Sequence, residues 1–188
     1  MSEPKLFMVM LGGRAPGCNT ELHDVVFAAG TRIQDLYPQL LDAWFGQPQG
    51  LHVDAWSVVD QVPGYRVHLS AQRGPRSPRL YFVNIGGYQP DELAERHAYA
   101  CLAGRNKTEV KQQARAELLK GMEEVHKDDL FDVDDCLTID SVGPWHVELE
   151  PDPAATAPEV VNGYHPIPAR AIKSWMLSAD NNRETPDS

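Results

Sequence analysis

The stretch LFMVMLGG at residues 6–13 returns as LYFVNIGG at residues 80–87, and this recurrence decides the fold. Further residues recur in order at the same spacing: Pro16 as Pro90, Glu21 as Glu95, His23 as His97, His52 as His126 and Asp54 as Asp128. Self-similarity at a fixed period is typical of a repeated structural unit. The sequence therefore predicts a tandem duplication, with a first repeat at residues 1–70, a linker at 71–79 and a second repeat at 80–150.

Both repeats predict the same order of elements. An apolar strand (6–11 and 80–85) runs into a double glycine, and a second strand (24–29 and 98–103) and a helix (31–45 and 108–120) follow. Two segments, partly of alternating polarity, close each unit as strands (51–59 and 65–69; 130–139 and 145–149). We therefore expect an α+β fold: a duplicated β-β-α-β-β unit, mostly antiparallel sheet with helices on one side, and a pseudo-two-fold axis between the copies.

Particular residues mark the ends of these elements. Thr31 is the predicted N-cap of the first helix, and Gly46 is its predicted stop. Pro38 predicts a kink or a later start, because proline cannot donate a backbone hydrogen bond inside a helix. In the second repeat, Gly121 is the predicted stop. A double glycine after a strand favours a turn with positive φ.

The C-terminal segment, residues 151–188, differs in composition from the repeats. Its first part, PDPAATAP at 151–158, predicts a surface strap because proline disrupts regular structure. Residues 160–168 are compatible with an edge strand. The apolar stripe of Ala171, Ile172, Trp175 and Met176 predicts a short helix docked on the protein's own core, and we expect the last ten residues to be disordered.

Bulk properties exclude several classes of protein. The chain has 17 Lys+Arg against 27 Asp+Glu and a formal net charge of −10, which disfavours binding to nucleic acid and to anionic membranes. It contains no apolar run long enough to span a bilayer and no signal-peptide pattern, so we expect a cytoplasmic protein. The three cysteines are scattered; Cys101 and Cys136 are predicted core residues, and Cys18 lies in a predicted loop.

One set of glycine and polar residues is identical in the two repeats, while most other positions differ between them. The set is Gly-Gly, then Glu-x-His, then His-x-Asp, and it defines the candidate binding residues. Arg14 adds a charge in the first copy, where the second has Tyr88. The candidates are Gly12, Gly13, Arg14, Glu21, His23, His52 and Asp54 in the first repeat, and Gly86, Gly87, Glu95, His97, His126 and Asp128 in the second.

The spacing of this set leaves three interpretations open. Residues i and i+2 of a strand share a face, so two imidazoles and two carboxylates converge if the segments are neighbours. Such a set can tie loops to strand ends as a structural fastener, bind a ligand or a metal, or perform acid–base catalysis. Retention of both copies favours the fastener, since a single active site leaves its duplicate free to change.

The motifs LFMVMLGGRAPG (6–17), ELHD (21–24), WFG (44–46), LHVD (51–54) and HKDD (126–129) resemble the uncharacterised domain of unknown function 1543 family. The resemblance covers both repeats, from residue 5 to about residue 150. It implies one or two copies of a small α+β domain in bacterial proteins. It implies no activity, cofactor or catalytic residue.

We therefore expect a binding or interaction module without enzymatic activity. It would bind a protein partner or form a homodimer through exposed strand edges. The sequence contains no recognised catalytic or nucleotide-binding motif, and we assign it no cofactor and no metal. The alternative is a small-molecule hydrolase or metal-dependent enzyme that uses His23, His52 and Asp54. A metal-binding protein is the third option.

Overall fold

The computed structural model describes residues 3–75, 77–87, 91–118 and 133–183. The elements in chain order are β1 (Lys5–Gly13), β2 (Leu22–Gly30), a 3-10 turn (Ile33–Leu36), α1 (Tyr37–Ala43), β3 (His52–Val58), β4 (Gln61–Val62), β5 (Tyr65–Ser70), β6 (Arg79–Gly87), β7 (Arg96–Gly104), α2 (Lys107–Leu118), β8 (Val133–Thr138), β9 (Ser141–Val142), β10 (Trp145–Pro151), β11 (Val161–Pro166) and α3 (Ala169–Arg183). This is a mixed α+β protein with antiparallel sheets, as the sequence predicts. Among the described helices, none combines the length and apolar character that crossing a membrane demands.

The chain forms two compact units. One comprises residues 1–58 together with 159–188, and the other comprises residues 59–158. These units do not coincide with the predicted repeats, because β5 belongs to the same unit as the second repeat. The repeat boundaries concern sequence similarity rather than compactness, and they stay a prediction.

The first unit is a four-stranded antiparallel sheet in the order β11-β3-β1-β2, with helices on one face. Alternate residues of β1 point into the core, which explains why Phe7, Val9 and Leu11 are buried. Helical residues cover this face, among them Leu36, Leu40 and Ile172. Gly12, near the end of β1, lies on the opposite face, beside the polar cluster described below.

Pro38 delays the start of the first α-helix, as predicted. The chain first makes a 3-10 turn, and α1 then places Pro38 in its first turn, where a missing N–H costs nothing. The predicted N-cap is wrong, because Thr31 donates from Oγ1 to Asp35 Oδ2 at 2.6 Å rather than capping α1. The predicted stop at Gly46 is also wrong, since α1 ends at Ala43 and Trp44 is its C-cap.

The second unit contains a three-stranded sheet in the order β7-β6-β8, covered by α2. The predicted helix at 108–120 is observed as α2, and its predicted stop at Gly121 lies outside the described residues. Gly86 pairs with His97 in this sheet, just as Gly12 pairs with His23 in the other unit. Both central strands also have an irregularity in register, between Met10 and Leu11 in β1 and between Asn84 and Ile85 in β6.

A second sheet of this unit has the order β4-β5-β10-β9 and consists of two hairpins. No strand is predicted at β4 or β9, because each has only two residues, too few for a periodic pattern. In the pairing of β5 with β10, His68 lies opposite Glu148, with Val67 opposite Leu149 and Leu69 opposite Val147. β5 and β10 therefore pair edge to edge.

Residues 159–188 of the C-terminal segment belong to the first unit. As predicted, an edge strand forms: β11 pairs with β3. Three residues of the apolar stripe, Ala171, Ile172 and Trp175, pack on the core, while Met176 is exposed. Trp175 also donates from Nε1 to Asp42 Oδ1 at 2.6 Å. α3 continues to Arg183, and residues 184–188 lie outside the described ranges, so the disorder of the last ten residues stays a prediction.

Candidate functional site

Four polar residues of the first repeat come together beside the end of β1. Glu21 directly precedes β2, His23 lies within β2, and His52 and Asp54 lie in β3. His23 was predicted to precede the second strand, but β2 begins at Leu22 and includes His23. Gly12 pairs with His23 on one side and with His52 on the other, so the glycine lies between the two histidines.

A β-bulge in β3 lies at Asp54, within this cluster. Met10 pairs with Ala55 and Leu11 pairs with Val53, which leaves Asp54 as the extra residue. Asp54 lies beside His52, as the i, i+2 spacing predicts. The extra residue then breaks the alternation of faces, so Trp56, two residues later, packs against the apolar core instead.

The cluster places two imidazole nitrogens against two carboxylates. His23 Nε2 lies 3.4 Å from Glu21 Oε1 and 3.2 Å from Asp54 Oδ2. His52 Nε2 lies 3.4 Å from Glu21 Oε1 and 3.3 Å from Asp54 Oδ1. Each carboxylate therefore faces both histidines through these nitrogen atoms.

The protonation of His52 is constrained by a backbone carbonyl. His52 Nδ1 lies 2.9 Å from the Gly50 oxygen, which can only accept a hydrogen bond, so Nδ1 carries a proton. In the neutral imidazole Nε2 then bears a lone pair, and that lone pair faces Glu21 and Asp54. A second proton on the ring, a proton on one of the carboxylates or a cation would relieve the resulting repulsion.

Exposure divides the cluster into a buried floor and an open rim. The side chain of His52 is 2% exposed and that of Asp54 is 29% exposed. At the rim, Glu21 is 44% and His23 is 50% exposed. Within the described part of the chain, Asp54 Oδ2 is one of three buried side-chain atoms that lack a hydrogen bond.

Two glycines at the end of β1 are required by space rather than by backbone angle. Both lie inside the strand, so the predicted turn with positive φ is wrong. A Cβ on Gly12 would lie 2.5 Å from His52 Nε2 and 2.6 Å from Asp54 Oδ2. A Cβ on Gly13 would lie 2.9 Å from the ring of Trp44 on the opposite face. Gly12 thus makes room for the cluster, and Gly13 makes room for a core side chain.

Tyr164 flanks the cluster and is absent from the candidates chosen by sequence. Its ring lies 4.4 Å from the ring of His52, centroid to centroid, and is 68% exposed. It belongs to β11, where Asn162 pairs with Ala55 and His165 pairs with Val53 across a register shift. The tail holds no recurrence of either repeat, so no signal in the sequence links Tyr164 to His52.

The remaining candidates are distributed as follows. Arg14 is exposed in the loop after β1, where its carbonyl accepts a hydrogen bond from the Gln47 amide. In the second repeat, Gly86 and Gly87 lie in β6, and His97 Nδ1 lies 3.1 Å from Asn84 Oδ1. His97 Nε2 is 3.8 Å from Glu95 Oε2. His126 and Asp128 lie outside the described residues.

The model of the family described as Domain of Unknown Function (DUF1543) matches two regions, residues 18–69 and 92–142. Together these matches cover more than half of the chain. The protein therefore belongs to this family, as the sequence motifs indicate, with two copies of the domain.

Among solved structures, the chain is similar to the crystal structure of a protein Il1583 from Idiomarina loihiensis. The two are 35% identical, with a TM-score of 0.69, and the likeness covers 89% of this chain and 99% of that one. No functionally curated protein matches the chain. The comparisons thus give a family and a fold, and they leave the biochemical function unknown.

Proposed function

We propose that the first repeat binds a divalent transition-metal cation through Glu21, His52 and Asp54, with His23 at the rim of the site. The observation that carries this proposal is the lone pair of His52 Nε2, which faces two carboxylate oxygens at 3.3 and 3.4 Å. A binding module of this kind departs from our expectation that the protein has no metal and no cofactor.

The separations between the ligand atoms fit a cation at their centre. Four ligands held about 2.0–2.2 Å from a tetrahedral cation lie roughly 3.3–3.6 Å from one another. From His52 Nε2 the distances to Glu21 Oε1 and Asp54 Oδ1 are 3.4 and 3.3 Å. The three ligand atoms offered by Glu21, His52 and Asp54 all lie within 4.8 Å of one another.

The hydrogen bond to Gly50 also supports a metal ligand. Metal-binding histidines almost always donate their second ring N–H to a carbonyl or carboxylate, which fixes the tautomer and the ring orientation. His52 meets this condition through Nδ1, and the ring is further packed by Tyr164. Mixed imidazole and carboxylate ligands suit Zn²⁺ and related first-row cations.

The structural-fastener interpretation requires a charged His52 instead. An imidazolium hydrogen-bonded to a carboxylate usually has an N···O distance of about 2.7–2.9 Å. The distances from His52 Nε2 are longer, at 3.3 and 3.4 Å, and the ring is 2% exposed, which disfavours a bare charge. A cation accounts together for the spacing, for the burial and for Asp54 Oδ2, a buried atom that lacks a hydrogen bond.

We further infer that the two family domains arose by duplication and are related by a local two-fold axis. The matching registers of β1 with β2 and of β6 with β7 support a duplication. The pairing of β5 with β10 about His68 and Glu148 supports an axis at that point. The cytoplasmic location and a homodimer or protein partner stay predictions.

The proposal is tested by titrating chelator-treated protein with Zn²⁺ in competition with a chromophoric chelator. We expect one tight site, and we expect His52→Ala to weaken Zn²⁺ binding at least roughly a hundredfold, more than a supporting residue does. His23→Ala should weaken it less, since His23 lies at the exposed rim. His68→Ala, which removes an exposed imidazole from β5, is the matched control and should leave binding unchanged.

Thermal unfolding of the same variants separates the cation site from a fastener. Zn²⁺ at about 100 times its Kd should stabilise the wild type by roughly 2.7 kcal/mol, and the same concentration should stabilise His52→Ala by no more than about 0.4 kcal/mol. If His52→Ala lowers stability but binds Zn²⁺ as tightly as the wild type, the proposed site is wrong and the fastener is correct.

A further inference from the structure

We propose that the bound cation keeps one coordination position open to solvent, and that this position takes a small monoanionic oxygen ligand whose flat apolar group stacks on Tyr164. This inference rests on the proposed cation site. It deepens that function by naming the class of ligand that the site receives.

The open position follows from the one-sided burial of the cluster. His52 and the backbone of Gly12 close the inner side, and the His52 side chain is only 2% exposed. Glu21 and His23, at 44% and 50% exposed, form the outer side. Metal sites that bind exogenous ligands typically have three protein ligands and one exchangeable position, whereas structural sites are closed by four. Glu21, His52 and Asp54 supply three ligand atoms from the inner side and the rim.

Charge selects the ligand that fits this position. Two carboxylates balance a divalent cation, so the loaded cluster is neutral and accepts one further anionic oxygen at little cost. The whole chain carries a formal net charge of −10, which opposes a second negative charge on the ligand. A carboxylate or a hydroxamate meets these conditions, and a phosphate dianion does not.

Tyr164 supplies the apolar contact. One part of its ring packs on His52 at a centroid distance of 4.4 Å, with the two planes tilted by 46°. The ring is nevertheless 68% exposed, so much of its surface faces solvent beside the cluster. The register shift between Asn162 and His165 in β11 places Gly163 and Tyr164 opposite the bulge at Asp54. A flat group bound to the cation can therefore stack on the exposed side of this ring.

The test uses protein loaded with Co²⁺, whose visible absorption reports its coordination. Acetohydroxamate and benzohydroxamate should both change the spectrum at saturation, while inorganic phosphate should not at the same concentration. Benzohydroxamate should bind roughly three- to tenfold more tightly, the usual size of an aromatic stacking contribution. Tyr164→Ala should abolish that difference, and Tyr164→Phe should retain it. Val161→Ala, at another exposed position of β11, is the matched control.

The outcomes distinguish the open coordination position from the cation site on which it depends. If Co²⁺ binds with the affinity expected of the site but neither hydroxamate alters its spectrum, the cation is coordinatively closed and this inference is wrong, although the cation site stands. Equal affinity of the two hydroxamates for the wild type overturns the role of Tyr164. Failure of the protein to bind Co²⁺ or Zn²⁺ at all overturns the proposed function itself.

Discussion

Gly12 and His52 lie opposite each other on β1 and β3, and a Cβ atom on Gly12 would come within 2.5 Å of His52 Nε2. The imidazole therefore occupies the volume that any other residue would need for its side chain. Gly12→Ala should displace His52 and Asp54, abolish tight Zn²⁺ binding and cost about 1–3 kcal/mol of stability, the usual effect of overpacking. Competition titration and chemical denaturation measure the two effects.

Gly13→Ala is the matched control for this change. It lies one residue along the same strand, and its added methyl group would come 2.9 Å from Trp44 on the opposite face. We expect a similar loss of stability with Zn²⁺ affinity intact. Equal loss of Zn²⁺ affinity in both variants would show that the effect is general unfolding rather than displacement of the ligands.

The docking of α3 on the first unit can be tested with two substitutions on one helix. Ile172 is 9% exposed and belongs to the core, while Leu177 is 57% exposed. Ile172→Ala should lower the free energy of unfolding by about 2–4 kcal/mol, because it removes a buried side chain and leaves a cavity. Leu177→Ala should change it by less than about 0.5 kcal/mol. Similar effects in urea denaturation would contradict the observed orientation of α3.

Acid sensitivity should depend in part on Asp152. The hydrogen bond from Arg66 Nε to Oδ2, at 2.8 Å, lowers the pKa of this carboxyl. A lowered pKa in the folded state means that the contribution to stability is present above the ordinary value, about 4, and is lost as the pH falls through the folded value. The stability difference between the wild type and Asp152→Asn should be present at pH 7 and small near pH 2. A difference that is the same at both pH values would refute this linkage.

Thiol reactivity should single out Cys18. Burial raises the pKa of the Cys101 thiol to about 12 and also raises the pKa of the Cys136 thiol, so burial disfavours the reactive thiolate at both positions. Both are buried, as the sequence predicts, while Cys18 is partly exposed. An aromatic disulfide reagent should modify one thiol quickly in the folded protein, and Cys18→Ser should remove that phase. Loss of the fast phase in Cys101→Ser instead would contradict the buried position of Cys101.

Much of the fold can be predicted from local sequence, because apolar runs and alternation specify strands directly. This basis predicted the first strands of both repeats and the edge strand β11. The late start of α1 was predicted from the missing N–H of Pro38. The pairing of β5 with β10 could not be, since it joins segments far apart in the chain and depends on which strand edges meet. The prediction that Thr31 caps α1 was wrong because its hydroxyl donates instead to Asp35, four residues away.

The candidate site shows a similar division. Recurrence between the repeats selected Glu21, His23, His52 and Asp54, and the structure brings these four together. Gly12 was predicted to lie in a turn, whereas it is required because a side chain there would clash with His52 across the sheet. Two glycines after a strand do not distinguish these two requirements. Tyr164 and the Gly50 carbonyl could not be found, since their contacts with His52 depend on a bulge and on a loop conformation.

X-ray absorption at the zinc edge of the loaded protein tests the central claim most directly. We predict a first shell of nitrogen and oxygen at about 2.0–2.2 Å, with the outer-shell scattering that identifies imidazole. His52→Ala should lower that imidazole scattering, and His68→Ala should leave it unchanged. A spectrum that lacks imidazole scattering, or one that His52→Ala does not alter, would contradict the account.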